Sequence, residues 1–387
     1  MNKRIQKLNR RIALHRNVRT MRFPTLTRLF FDTPGLPTYF GKNSYPFQDP
    51  VLERICNAFK LADEASEQED IWTELTASNA DFIQALRNKD FEFLRTSFSN
   101  LFHGPLLFGM GHTDIFLTKK SPYDRQYFSL RCRDAVQALG EALAIKPLSS
   151  NQQTSLDDYI ESTNADLEEH IEKIEETLGH SIEVPNVGRS PAAKIGRYQI
   201  SPDSARHAYV MYRVKQLGFN SDDAILEIGG GFGNVARYAF LQGFRNYTII
   251  DIPYVTAIQA AFLAATIGEE NISLMGEDPV GGIKIYPSTQ KRNLPGTIDL
   301  AINMDSLPEI NMTESIEYLR FINSKGRYFL SINQEAQKTH KGKIKQYCVP
   351  DLINMVGNFK RLHRHPYWME QGYAEEYYAV EMEDNQT

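Results

Sequence analysis

Cysteine is scarce in this sequence. Cys56, Cys132 and Cys348 stand far apart among 387 residues, odd in number and without a CxxC pair or a Cys/His metal spacing. A disulfide framework or a structural zinc is therefore not expected. Long apolar runs are missing as well: none approaches the ~20 residues that cross a bilayer, and the N-terminus lacks the short apolar core of a secretory signal. A soluble, cytoplasmic protein is the expectation. There is no excess of positive charge, because 43 Lys and Arg stand against 48 Asp and Glu for a net charge of −5. A nucleic-acid partner for the whole chain is therefore not expected. No repeat of solenoid period is visible, and with 42% hydrophobic and 24% charged residues the composition is that of a folded chain. At this length two domains are the expectation.

Acidic residues are absent from one stretch, residues 1–31, which holds Lys3, Arg4, Lys7, Arg10, Arg11, Arg16, Arg19, Arg22 and Arg28. A transit peptide is Arg-rich, but this segment has no serine; a membrane-surface helix would use Ile5, Leu8 and Ile12 as its stripe. The plainer reading, a basic arm beside an acidic neighbour, is preferred. Peripheral membrane contact through residues 1–31 stays open beside it.

What is present divides the chain into residues 1–50, a basic arm and extended segment; 51–183, a helical region; 184–200, a linker; and 201–387, an α/β domain. In the helical region Val51, Leu52, Ile55, Phe59 and Ala62 recur at helical spacing, as do Phe91, Leu94, Phe98 and Leu101 after the N-cap candidate Asp90. Apolar steps of four and three from Leu156 to Leu178 predict one long helix from Ser155 to Gly179. Its opposite face is acidic, with Glu168, Glu169, Glu172, Glu175 and Glu176. Two prolines and two glycines without helical period mark IEVPNVGRSPAAKIGRYQI as the connector. A helix from Pro202 to Leu217 follows, and then β-rich runs alternate with helical ones: AILEIGG, YTIIDI, ISLMGED, TIDLAINMDS and GRYFLSINQE. Such alternation predicts βαβ units, a doubly wound parallel sheet and a ligand at the carboxyl ends of its strands.

The informative run is ILEIGGGFGNVA, residues 225–236. A dinucleotide fingerprint, G-x-G-x-x-G, needs its third glycine at position 234, which is Asn234; the spacing here is G-x-G-x-G through Gly229, Gly231 and Gly233, preceded by Glu227. Glycines let the chain turn sharply and let a ligand approach the main chain. Asp251 ends the second strand, where a carboxylate can accept from the vicinal hydroxyls of a ribose. Glu277 and Asp278 follow the third strand run, although an acidic residue before Pro279 is also a common turn start.

E-x-G-x-G-x-G resembles the first motif of class I S-adenosylmethionine-dependent methyltransferases. The resemblance narrows at INMDSLPEI, residues 302–310, which together with EIGGGFG and IIDIP is similar to a family of sugar O-methyltransferases over roughly residues 180–387. It implies a Rossmann-like sheet with an antiparallel last strand near Tyr373–Met382, and S-adenosylmethionine held by Glu227, Gly229, Gly231, Gly233, Asp251, Asp278 and Asn303. The acceptor it implies is a sugar hydroxyl on a glycan, sugar nucleotide or glycosylated metabolite.

A base must take the hydroxyl proton. Glu309 and Asp305 lead, at a strand's carboxyl end; His340 lies in a Lys-rich loop, and His363 and His365 face together across Arg364 by period two. No compact oxygen-ligand motif appears, so no metal is expected. Tyr367, Trp368, Tyr373, Tyr377 and Tyr378 are available as a sugar platform, although period-two aromatics are more often sheet packing. The helical front half is expected to lid the cleft or to form a homo-oligomer contact. A nicotinamide-dependent oxidoreductase and a non-catalytic binding module on a methyltransferase fold are the alternatives.

Overall fold

The computed structural model describes residues 35–63, 76–111, 122–148, 166–279, 282–294, 296–335, 339–340 and 344–381. The basic arm and the first part of the Ser155–Leu178 repeat, residues 155–165, lie outside them. The front region comprises a short strand β1 (Thr38–Phe40) and helices α1 (Asp49–Ala62), α2 (Ala80–Asn88), α3 (Phe91–Ser99), α4 (Pro122–Ala142) and α5 (Leu167–Leu178). The expected periodicities hold: Val51, Leu52, Ile55 and Phe59 form the buried face of α1, and Asp90 caps α3 by accepting from the Phe93 N–H at 3.0 Å. Helix α5 starts at Leu167 because Asp166 takes a left-handed conformation, φ 55°, so it is shorter than the sequence repeat. Gly179, φ 76°, closes it as expected. Part of its acidic face meets Arg197, whose N–H reaches Glu168 and whose guanidinium reaches Glu172, each at 2.9 Å.

The connector is not a plain loop. Strands β2 (Pro191–Ile195) and β3 (Tyr198–Ile200) form a hairpin that β1 joins as a third antiparallel strand. Helix α6 (Pro202–Gln216) follows, with the Ser201 hydroxyl accepting from the Ser204 N–H at its start.

The main sheet then builds from β4 (Ile225–Ile228), α7 (Asn234–Leu241), β5 (Asn246–Asp251), α8 (Pro253–Ile267), β6 (Ile272–Leu274), β7 (Gly282–Pro287), β8 (Ile298–Met304), α9 (Met312–Lys325) and β9 (Gly326–Gln334). It closes with a two-strand ribbon, β10 (Thr339–His340) and β11 (Ile344–Lys345), then α10 (Val349–Val356), β12 (Phe359–Pro366) and β13 (Tyr373–Val380). Eight strands pair in the order β12-β13-β9-β8-β4-β5-β7-β6; β13 runs antiparallel to both its neighbours and the rest are parallel. This is the doubly wound, Rossmann-like sheet of the class I methyltransferase type. One strand was not anticipated: β7, GIKIYP, inserts between β5 and β6 and pushes ISL to the sheet edge.

The front region shares its core with this domain. Helix α1 packs on α8, and Phe102, Phe232 and Phe262 meet edge to face at 5.1–6.2 Å, joining the segment after α3 to the turn after β4 and to α8. Burying such rings is worth ~1.5–3 kcal/mol each, so the two regions stabilise one another. Among the described residues no helix is long and apolar enough to cross a membrane.

Candidate active site

The chain leaves β4 through a turn that only glycine accommodates. Gly229, Gly231 and Gly233 have φ of 70°, 54° and 93°, a region costly for any residue with a Cβ. A Cβ at Gly229 would lie 2.2 Å from the Ser306 hydroxyl, and one at Gly230 would lie 2.7 Å from the Ile249 side chain. Gly233 is the N-cap of α7 and stands behind the loop, whereas Gly229, Gly230 and Gly231 line a cleft of about 1330 Å³ at the carboxyl ends of the strands.

Two acids flank this loop. Asp251 accepts from the Ile252 N–H at 2.8 Å and from Gln259 Nε2 at 2.7 Å; the same amide reaches the Gly231 carbonyl at 3.0 Å, tying the acid to the loop. Burial pushes its carboxyl up to about 7. Glu227 accepts from the Tyr247 hydroxyl at 2.9 Å, and burial, helped by the charge of Asp251, raises it to about 8. Both line the cleft.

Asn303 does not reach the cleft. It is fully buried beneath the loop, with Nδ2 donating to the Ile228 carbonyl at 2.9 Å and Oδ1 accepting from Asn333 Nδ2 at 2.9 Å. An amide there is a prop, because it satisfies the last carbonyl of β4 where the chain turns away from the ladder.

Asp278 is also misplaced by the sequence reading. It is exposed in the β6–β7 connection and does not line the cleft, since β7 displaces β6 from the position next to β5. Ser288 and Thr289, just past β7, occupy the cleft instead. Glu277, beside Asp278, pairs with Arg54 of α1 at 2.8 and 3.0 Å, and that contact holds its carboxyl below the usual range.

Asp305 and Glu309 both line the cleft just after β8. Asp305 sits at φ 64°, a rare conformation for a residue with a side chain. Its carboxyl is raised by burial but opposed by Arg206, whose guanidinium lies 3.0 Å from Oδ2. Glu309 has no cationic partner among the described residues, and burial, with the charge of Asp305, lifts it to about 7. His340 falls on β10, and its side chain is not among those the structure describes. His363 and His365 lie on β12 outside the cleft, with rings stacked at 5.1 Å as period two requires.

Apart from Tyr373, sequence reasoning missed the other wall. Helix α6 brings Asp203, Arg206 and His207 to the cleft, and the β12–β13 connection with the start of β13 brings Glu370 and Tyr373. Arg206 is 5% exposed and lies 2.9 Å from Glu370 Oε2, and Arg131 lies 3.1 Å from Oε1 of the same carboxylate. Burial works against the charge of Arg206, yet Glu370 and Asp305 hold its pKa well above the usual value. His207 packs near Phe232, and its Nδ1 lies 3.1 Å from the amide of Asn234. A visible signal was the polar stripe Asp203, Arg206, His207, at steps of three and four, on a helix that is otherwise mostly apolar. Of the aromatic candidates only Tyr373 lines the cleft; Tyr377 stacks on Tyr328, Tyr378 on Phe329, and Trp368 donates to the Ala138 carbonyl.

No protein-family model and no curated protein matches this chain. Solved structures similar to it include the pyocyanin biosynthetic protein PhzM, at 12% identity and TM-score 0.36 over 46% of this chain and 56% of that one. Magnesium protoporphyrin IX methyltransferase ChlM from Synechocystis PCC 6803, with bound SAM, is 12% identical with TM-score 0.33 over 45% and 77%. The glycopeptide N-methyltransferase MtfA, complexed with S-adenosylhomocysteine, is 9% identical with TM-score 0.35 over 45% and 89%. The chain thus spans little more than half of PhzM, and each match covers less than half of this chain.

Proposed function

We propose that this chain transfers a methyl group from S-adenosylmethionine to a hydroxyl oxygen of a sugar or sugar-bearing acceptor. The observation that carries the reading is the pairing of a glycine-lined turn with two buried acids, Glu227 and Asp251, neither facing a cation among the described residues. The cradle fits the donor: Gly229, Gly230 and Gly231 line the cleft between the two acids, and a Cβ on Gly229 or Gly230 would strike Ser306 or Ile249, so the turn keeps this shape only with glycine there. A dinucleotide fits less well, because Asn234 stands where its pyrophosphate loop needs glycine and is itself 5% exposed beside His207.

In this reading Asp251 holds the ribose diol, and Glu227 accepts from the donor's ammonium group. The bound donor supplies an electrophilic sulfonium methyl. Asp305, whose Oδ2 already accepts from Arg206, orients the acceptor, because that pairing commits the carboxylate to the guanidinium. Glu309, with its carboxyl near 7, takes the hydroxyl proton, a task for which a pKa near the working pH is best. Tyr373 and the Arg206–Glu370 pair wall this end of the cleft, keeping acceptor and base together.

Mass spectrometry of a panel of free sugars, glycosides and sugar nucleotides, incubated with the chain and isotope-labelled donor, tests the reading. A labelled methyl on a sugar oxygen supports it; label on nitrogen or carbon acceptors alone refutes the oxygen assignment.

A further inference from the structure

Outside the cleft, three side chains with no part in the chemistry above converge on the β12–β13 hairpin. Alternation along β12 puts His363 and His365 on one face, and the antiparallel register sets His365 opposite Glu375. Their Nε2 atoms lie 3.7 and 3.4 Å from Glu375 Oε1, and the three ligand atoms all fall within 4.8 Å of one another. A tetrahedral ion with bonds of about 2.0–2.1 Å separates its ligand atoms by about 3.4 Å. The two imidazole–carboxylate separations are close to that spacing.

Two further observations say what faces this point. His365 Nδ1 lies 3.1 Å from the Pro366 carbonyl, which can only accept, so that nitrogen bears a proton and Nε2 is the ring atom turned to the carboxylate. Metal-ligating histidines are commonly oriented by such a bond. His363 Nε2 is a buried atom with no hydrogen-bond partner. At 3.7 Å it is too far from Glu375 Oε1 for a hydrogen bond, and a cation between the two would satisfy both. Glu375 is fully buried; Arg213 Nε takes one position on Oε1 at 2.8 Å, and the Tyr209 hydroxyl lies 3.4 Å from Oε2. A carboxylate offers about four acceptor positions, so one remains on Oε1 toward the rings. Arg364 is turned to Glu335 and Glu376 and does not compete.

We propose that His363, His365 and Glu375 bind a divalent transition-metal ion of the zinc class, with solvent in the fourth position. Two imidazoles and one carboxylate suit borderline ions, whereas magnesium and calcium prefer all-oxygen shells. His363 and His365 keep side-chain exposures of 29% and 40%, which leaves a route of entry. The ion ties the edge strand β12 to β13 and, through Glu375, to Arg213 and Tyr209 on α6, the helix that carries Arg206. It acts as a clamp on that wall of the cleft.

The test uses the untagged full chain, stripped with chelator, loaded with zinc or cobalt and freed of excess metal by gel filtration. The expected result is one equivalent of metal per chain by elemental analysis, visible absorption of four-coordinate cobalt, and a higher melting temperature with zinc. His363→Ala and His365→Ala, partly exposed positions that retain the fold by circular dichroism, lose the metal and the melting shift, and Glu375→Gln weakens binding tenfold or more. The proposal is overturned if wild type holds no more metal than the His363→Ala/His365→Ala double variant, or if zinc leaves the wild-type melting temperature unmoved. Because none of the three residues lines the cleft, methyl transfer can fail without touching this outcome.

Discussion

The guanidinium of Arg206 donates to Asp305 Oδ2 across 3.0 Å, joining a helix laid down before the first strand of the main sheet to the turn after β8. The contact divides the work between two acids that sequence position alone makes equivalent. Asp305 is held, at φ 64° and in an ion pair, while Glu309, four residues on, has no cationic partner among the described residues; burial raises both carboxyls.

Glu309→Gln is expected to lower kcat by ~10²–10⁴-fold, the usual range for a lost base, while donor affinity stays within about twofold of wild type. The wild-type rate should rise with pH through about 7, as Glu309 ionises, and the variant's profile should flatten. A Gln variant with full turnover would move the base elsewhere.

Arg206→Met takes the guanidinium from between the Asp305 and Glu370 carboxylates, leaving Glu370 its contact with Arg131. Breaking a buried pair from one side costs about 3–5 kcal/mol. Denaturant unfolding should show that loss, and a midpoint equal to wild type would mean that the pair is not buried in solution.

Asn303→Ala removes the prop under the loop, taking the Oδ1 acceptor from the Leu307 N–H and one hydrogen bond each from the Ile228 carbonyl, which keeps the Ser306 hydroxyl, and from Asn333 Nδ2, which keeps the Ser331 hydroxyl. The expected cost is ~1–3 kcal/mol, with donor binding weakened only through the loop's looseness. A variant that keeps its stability but loses all donor contact would return Asn303 to the ligand surface.

Ligand-free stability should fall as pH rises from about 4.5 to about 8, because Glu227 and Glu309 keep their protons in the folded state after the unfolded chain has lost them, and Asp251, raised to about 7, does the same. The folded state then binds more protons than the unfolded one, which makes the slope of stability with pH negative. Thermal melts across that range check the sign, and Asp251→Asn should reduce the slope.

Much of this was legible in the sequence, for reasons local to the chain. The glycine turn, Glu227 and Asp251 announce themselves because positive φ and a strand end are written in neighbouring residues. Asp278 failed because periodicity reports that a strand exists and not where it pairs; β7 is short, Gly-led, and takes the place beside β5. The Asp203–Arg206–His207 wall and Glu370 failed because they meet Asp305 only after α6 and the β12–β13 connection fold onto the sheet, 99 and 65 residues distant from it in the cases of Arg206 and Glu370. The paired histidines were visible by period two, but Glu375 is set beside them by a register that no local pattern records.

Isothermal titration of the full chain with S-adenosylhomocysteine, set against the same titration with NADH, tests the central claim most directly. The account predicts one saturable site for S-adenosylhomocysteine, no heat from NADH, and binding weakened at least tenfold in Asp251→Ala and in Gly231→Val, whose φ of 54° no β-branched residue adopts without strain. Saturable NADH binding with none by S-adenosylhomocysteine would contradict it.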